Sequence, residues 1–371
     1  MTHSLYREAG AVRIDEEACT RCGECVRVCP ADALAIENGR IRVRSDSPLG
    51  CVACGHCMMV CPKGCIAVTG RGLSPEDLLP LPDADQRATA DALEALMASR
   101  RSVRRFNDQE VESAVLDRIV RMATSAPMGI PPWDVGCVVV RGRAEVGALA
   151  AEVVAGYEGF LKLFRPWVLA LLRPWMGRAK HEQFRDFVRP LAQTYVAHHR
   201  AGEDVVFWGA PAVLIFHHSP YADVADAMIP CTYAMLAAES LGLGSTMIGG
   251  APPILQRNAA LCRRLGIPEG NKPAICLILG YPAVRFLRTV RRRFTSVQTV
   301  GGTGKEAAAV CEAVMVPPTC PTDIPPPIPI IEPRLDSHPP PFISGPNNPR
   351  VNSCAPKSEI IRAMLSNTAL A

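Results

Sequence analysis

No run of about 18 uncharged apolar residues occurs in the 371-residue chain, so the sequence offers no helix that spans a bilayer. The nearest stretch, residues 160–177, is interrupted by Lys162, Arg165 and Arg173 and broken by Pro166 and Pro174. It is expected to serve as a lid or interface helix rather than to lie on a membrane. A dominant charge is also lacking. The net charge is +4 with 20% charged residues, which excludes the broad basic face of a nucleic-acid binder. No targeting segment is evident, and a reducing cytoplasm is the expected compartment.

Cysteine and proline, by contrast, are plentiful, at 16 and 34 residues. Residues 19–30 read C-T-R-C-G-E-C-V-R-V-C-P, and residues 51–62 read C-V-A-C-G-H-C-M-M-V-C-P. Each is C-x2-C-x2-C-x3-C-P, the bacterial iron–sulfur run. Three thiolates on one loop converge on one cluster, while the fourth opens a helical segment and serves the other cluster. Cys19, Cys22, Cys25 and Cys61 are therefore expected to hold one [4Fe-4S] cluster. Cys51, Cys54, Cys57 and Cys29 are expected to hold the second. Gly23 and Gly55 occupy matching places where the loop needs backbone freedom, and Pro30 and Pro62 redirect the chain after the last ligand. Zinc usually uses separated C-x2-C pairs, and disulfide frameworks suit small secreted domains. The repeat fits neither. The other eight cysteines (65, 137, 231, 262, 276, 311, 320 and 354) are scattered and expected to pack mostly as small apolar residues. The segment 10–70 resembles a two-cluster ferredoxin module.

The length allows two or three domains. Short strands are expected at 11–15, 33–37 and 65–69. Residues 1–72 form the cluster domain and 73–89, rich in Pro and Asp, a linker. From residue 90 apolar spacing predicts a helix with Leu93, Leu96 and Met97 on one side. A second helix follows with Val111, Val115, Ile119 and Met122. Buried strands are expected at 135–140, 210–219 and 273–282, helices across 144–204 and around 252–265, and a long apolar helix at 223–241, buried in a core or a dimer interface. His217 and His218, at a strand end, are read as structural. Beyond residue 300 the composition changes: 14 of the prolines follow Val316, so 301–371 is expected to be a Pro-rich, largely disordered tail.

Residues 99–106, S-R-R-S-V-R-R-F, bring in a second resemblance. Arg100, Ser102 and Arg104, with Arg101 adjacent, match the phosphate-binding stretch of the nitroreductase family of FMN enzymes. Guanidinium forks and a hydroxyl suit a dianionic phosphate. Further motifs follow in family order. A-P-M-G-I-P-P-W supplies Pro127, Met128, Gly129 and Trp133 for a loop against the flavin ring, with Gly129 and Pro131 where the family has Asn and Gln. L-G-L-G-S-T-M-I-G-G supplies Met247, Ile248, Gly249 and Gly250, whose main chain would approach N5 and O4 of the flavin. G-Y-P at 280–282 precedes a basic segment in which Arg288 or Arg292 would reach the phosphate.

The resemblance implies an α+β fold: a ferredoxin-like module, then an FMN-binding α+β sandwich over residues 90–300 with a mainly antiparallel sheet. It implies a homodimer whose interface forms the flavin pocket. Electrons would pass from an external donor, NAD(P)H or a redox protein, through two [4Fe-4S] clusters and FMN to a small flat acceptor such as a nitroaromatic or quinone. No side chain is required as an acid or base. The alternative is an electron-transfer adaptor or redox sensor that serves a protein partner; dehalogenation or flavin oxidation on the same fold also stays open.

Overall fold

The computed structural model describes residues 8–129, 134–298 and 300. Trp133 and residues 301–371, with the expected tail, lie outside the described residues. One compact unit ends at Thr289.

The cysteine-rich part is built from two similar halves. Strand β1 (Ala11–Ile14) pairs antiparallel with β4 (Ile66–Thr69), and β2 (Leu34–Glu37) with β3 (Arg40–Val43). Short helices α1 (Glu24–Arg27) and α2 (His56–Val60) follow the two cysteine loops. The repeat is visible in the backbone. Arg21 and Ala53, Gly23 and Gly55, and Asp32 and Gly64 are three matched pairs, all with φ between 50° and 80°. In each half the chain makes two left-handed steps as it passes the second cysteine. Between β4 and the next long helix there are only two single turns of 3₁₀ helix, Pro75–Asp77 and Ala84–Gln86.

The second part is a four-stranded antiparallel sheet flanked by helices. Its strands are β5 (Val135–Arg141), β6 (Ala212–His218), β7 (Gly244–Ile248) and β8 (Lys272–Gly280), in the order β5-β6-β8-β7. All of β6 is buried, as its continuous apolar run requires. Helices α3 (Ala90–Ser99), α4 (Ser113–Ala123), α5 (Arg143–Leu163), α6 (Pro166–Met176), α7 (Arg178–Gln183), α8 (Arg189–Arg200), α9 (Val224–Ser240), α10 (Pro252–Leu255) and α11 (Ala259–Arg264) complete it. A π-helical stretch, Phe184–Val188, joins α7 to α8. The core lies between α4, α9 and the sheet, with Leu116, Ile119, Leu214, Ala234 and Leu277 at its centre.

Several expectations need correction. Helix α4 buries Leu116, Ile119 and Ala123, while Met122 is exposed. Leu93 and Met97 do not reach a core; α3 buries no residue. Pro174 does not end its helix but sits inside α6 near its end. The carbonyl it deprives of a partner is that of Ala170 on an exposed turn, open to water. Strands β7, inside the L-G-L-G-S-T-M-I-G-G stretch, and β3 were not foreseen. Among the described residues no helix is long and apolar enough to cross a membrane.

Candidate redox centres

Two recesses in the cysteine-rich part collect the thiols. One is lined by Cys19, Cys22, Cys25 and Cys61, together with Cys65. The other is lined by Cys29, Cys51, Cys54 and Cys57. In each, the fourth cysteine of one run sits with the first three of the other. Among the described residues no three ligating side chains close around one point as a single metal ion needs. Sulfurs spread over a recess suit the corners of a multinuclear cluster.

The surroundings fit a cluster as well. Cys29 Sγ accepts from Ala33 N–H at 3.3 Å. A methyl group on Gly10 would stand 2.7 Å from Cys51 Sγ, so only glycine lets this backbone pass the second recess. Burial pushes the Cys57 thiol up to about 12, with Cys51 and Cys54 adding to it. Burial also raises Cys25 and Cys51, although nearby Arg71 pulls Cys51 the other way. Binding iron must therefore displace protons from these thiols. Burial acts upward on Cys61 too, but hydrogen bonds from the backbones of Cys65, Lys63 and Gly64 leave it lowered. Arg71, itself buried, is a fixed cation beside the second recess that sequence reasoning missed.

In the sheet domain, residues 100–104 run alongside edge strand β7. Ser102 bridges Ser245 in parallel, Val103 N–H donates to the Ser245 carbonyl at 3.0 Å, and Thr246 Oγ1 donates to the Val103 carbonyl at 2.6 Å. The glycine at 244 makes this approach feasible, because a Cβ there would lie 2.6 Å from Val103 Cβ. Side chains alternate along this extended segment. Val103 is buried, and Ser102 and Arg104 are exposed. The Arg104 guanidinium lies 5.7 Å from the centre of the Trp208 ring, a cation–π distance.

Arg101 is placed differently. It caps α3 by donating to the carbonyls of Arg100 (2.7 Å) and Ala98, and it donates to Thr289 Oγ1. With Val103, Gly244, Phe286 and Arg288 it lines a cavity of about 470 Å³. This cavity is on the face opposite Ser102 and Arg104. Arg292 lies past the end of the compact unit and is exposed.

Gly249 and Gly250 follow β7 directly. Tyr157 Oη donates to the Gly250 carbonyl at 2.6 Å, and Tyr195 stands edge-on to Tyr157 with ring centres 5.3 Å apart. A Cβ on Gly250 would lie 2.7 Å from Tyr195 Oη, whereas Gly249 faces open space. Met247 is half-buried and packs against the core, and Ile248 is buried.

Pro127, Met128 and Gly129 precede β5 in the chain, not β7. Gly129 N–H donates to Asp226 Oδ1 at 2.8 Å, at the start of α9. Strands β5 and β7 are opposite edges of the sheet, three strand spacings or roughly 14 Å apart. Asp226 was overlooked, although D-V-A-D at the head of the helix is an acidic capping box. His217 and His218 are buried within the fold. His217 Nδ1 meets Asn271 Nδ2 at 3.1 Å, and His218 Nδ1 meets the Ser219 carbonyl at 2.8 Å.

Comparison with known proteins agrees with this division of the chain. Residues 97–281 match the family model "Nitroreductase family", and residues 11–62 match "4Fe-4S dicluster domain". The chain joins a dicluster domain to a nitroreductase-family domain. It is therefore an oxidoreductase. A "Putative NADH dehydrogenase/NAD(P)H nitroreductase" of Methanothermobacter thermautotrophicus is 28% identical over 195 residues, covering 52% of this chain and 78% of that one. An "FMN reductase [NAD(P)H]" of Bacillus subtilis is 27% identical over 202 residues, covering 53% and 68%. Among solved structures, a nitroreductase with bound FMN from Bacteroides fragilis superposes with a TM-score of 0.44 at 20% identity, covering 57% of this chain and all of that one.

Proposed function

We propose that the chain is an FMN enzyme that carries electrons from an external donor, NAD(P)H or a redox protein, to a flat, electron-poor acceptor such as a nitroaromatic or a quinone. When bound, the two [4Fe-4S] clusters supply single-electron relay and FMN supplies two-electron chemistry. The runs 19–29 and 51–61 hold the clusters in the crossed arrangement, with Cys61 in the first recess and Cys29 in the second.

The observation that carries the flavin assignment is the pairing of residues 102–103 with β7. It sets the basic stretch and the glycine turn on one edge of one sheet. Neither the Ser102 hydroxyl nor the Arg104 guanidinium has a hydrogen-bond or ion-pair partner among the described residues, so both are free to take a phosphate. Arg100 belongs to the same basic stretch, whereas Arg288 lines the cavity on the other face and is not part of this set. Arg101 keeps its capping role and supports the stretch from behind. With its carbonyl held by Tyr157, Gly250 presents its main chain in a fixed setting, and Gly249 leaves room for a ring edge.

The remaining wall comes from a second copy of the chain. Pro127, Met128 and Gly129, tied to the first turn of α9 through Asp226, would meet the partner's flavin. Helix α3, with Leu93 and Met97 exposed and nothing buried, is one of the exposed apolar surfaces, and the one assigned to that pairing. An acceptor would then stack between two subunits, out of water.

Arg104→Ala tests the assignment. Flavin retained after gel filtration is expected to fall several-fold with unchanged iron, and anaerobic reduction of a nitroaromatic should fall in proportion. Full flavin occupancy in that variant would remove the phosphate site from residues 100–104.

A further inference from the structure

The two recesses are not equivalent. Four thiols line the second and five line the first. The fifth is Cys65, whose Sγ is 3.3 Å from Cys61 Sγ. The matching residue of the other half, four positions after Cys29, is Ala33. There the same turn carries no sulfur, and only its N–H reaches the ligand.

Cys65 is firmly placed. It is buried at 9% exposure, directly precedes β4, and its carbonyl accepts from Asp15 N–H at 2.8 Å. A cysteine acting only as a small apolar residue has no reason to aim its sulfur at a ligand thiol. We propose that the first recess offers its fourth cluster corner two interchangeable ligands, Cys61 and Cys65. This rests on the crossed cysteine assignment proposed above.

The exchange is balanced without an electron moving. As Cys65 takes the iron, one Fe–S bond forms and its thiol proton passes to Cys61. As Cys61 receives that proton, its own Fe–S bond breaks. The two sulfurs are within S–H···S reach, so the proton needs no carrier. Loss of one thiolate to oxidation or alkylation would then leave the first cluster held, whereas the second has no stand-in.

The test uses the full chain, purified without oxygen, with iron counting and EPR of the reduced protein. Cys61→Ala is expected to keep the iron of both clusters, with an altered EPR signal from the first. Cys29→Ala and the double variant Cys61→Ala/Cys65→Ala should each lose about half the iron. Flavin occupancy reports whether each variant is folded. A folded Cys61→Ala chain that loses as much iron as Cys29→Ala overturns the proposal. If Cys61→Ala does not fold, Cys65→Ala decides: iron release to a chelator should be several-fold faster than from the parent, and an equal rate sinks the idea. Iron-free parent protein would instead refute the cluster assignment itself.

Discussion

His217 fills the space that Gly136 leaves on the neighbouring strand. The two are register partners in β5 and β6, and a Cβ at position 136 would overlap the imidazole. Burial, helped by His218, lowers its pKa to about 4, whereas an unfolded histidine titrates near 6.5. Above that value both states are neutral and pH has no effect through this group. Between roughly 6.5 and 4 the unfolded chain takes a proton that the fold refuses, so stability falls with acid, by at most about 3 kcal/mol. In urea denaturation, His217→Gln should therefore lose less stability than the parent between pH 7 and pH 5. Parallel losses in the two proteins would show that the imidazole does not control the acid limb.

At the scale of elements, the contact between β7 and residues 102–103 joins fold to site. Gly244→Ala places a methyl group against Val103, so the basic stretch must move off the strand. We expect a loss of about 1–3 kcal/mol with weaker flavin retention, read by thermal denaturation and flavin content. Destabilisation with unchanged flavin content would separate the strand contact from the site.

The cysteine runs were legible because cluster ligation is local and its spacing is rigid. Strand β7 was not, since its five residues are flanked by glycines and its identity comes from pairing with β8 and with a segment some 140 residues earlier. Strand β3 did carry a signal. Asn38-Gly39 joins it to β2 with φ of 50° and 70°, the Asn-Gly hairpin turn. The separation of Pro127–Gly129 from Gly249–Gly250 was illegible for a different reason: motif order along a chain does not say which edge of a sheet each motif occupies.

For the molecule as a whole, that separation makes the proposed flavin site incomplete in one subunit. The parent protein should sediment as a dimer. Leu93→Glu combined with Met97→Glu, on the exposed side of α3, should shift it toward monomer and release flavin while leaving iron in place. A parent protein that sediments as a monomer with its flavin bound would place the whole site within one chain.

The exchange of fourth cysteines between the two halves also bears on ancestry. A single-copy peptide with one such run would supply three sulfurs to its own recess and leave one pointing elsewhere. Two peptides lying side by side would complete each other, but only at a concentration that kept them together. In one chain each run has the other as a permanent neighbour. Held in one chain, the two halves need not be identical, and the matched positions 33 and 65 carry Ala and Cys.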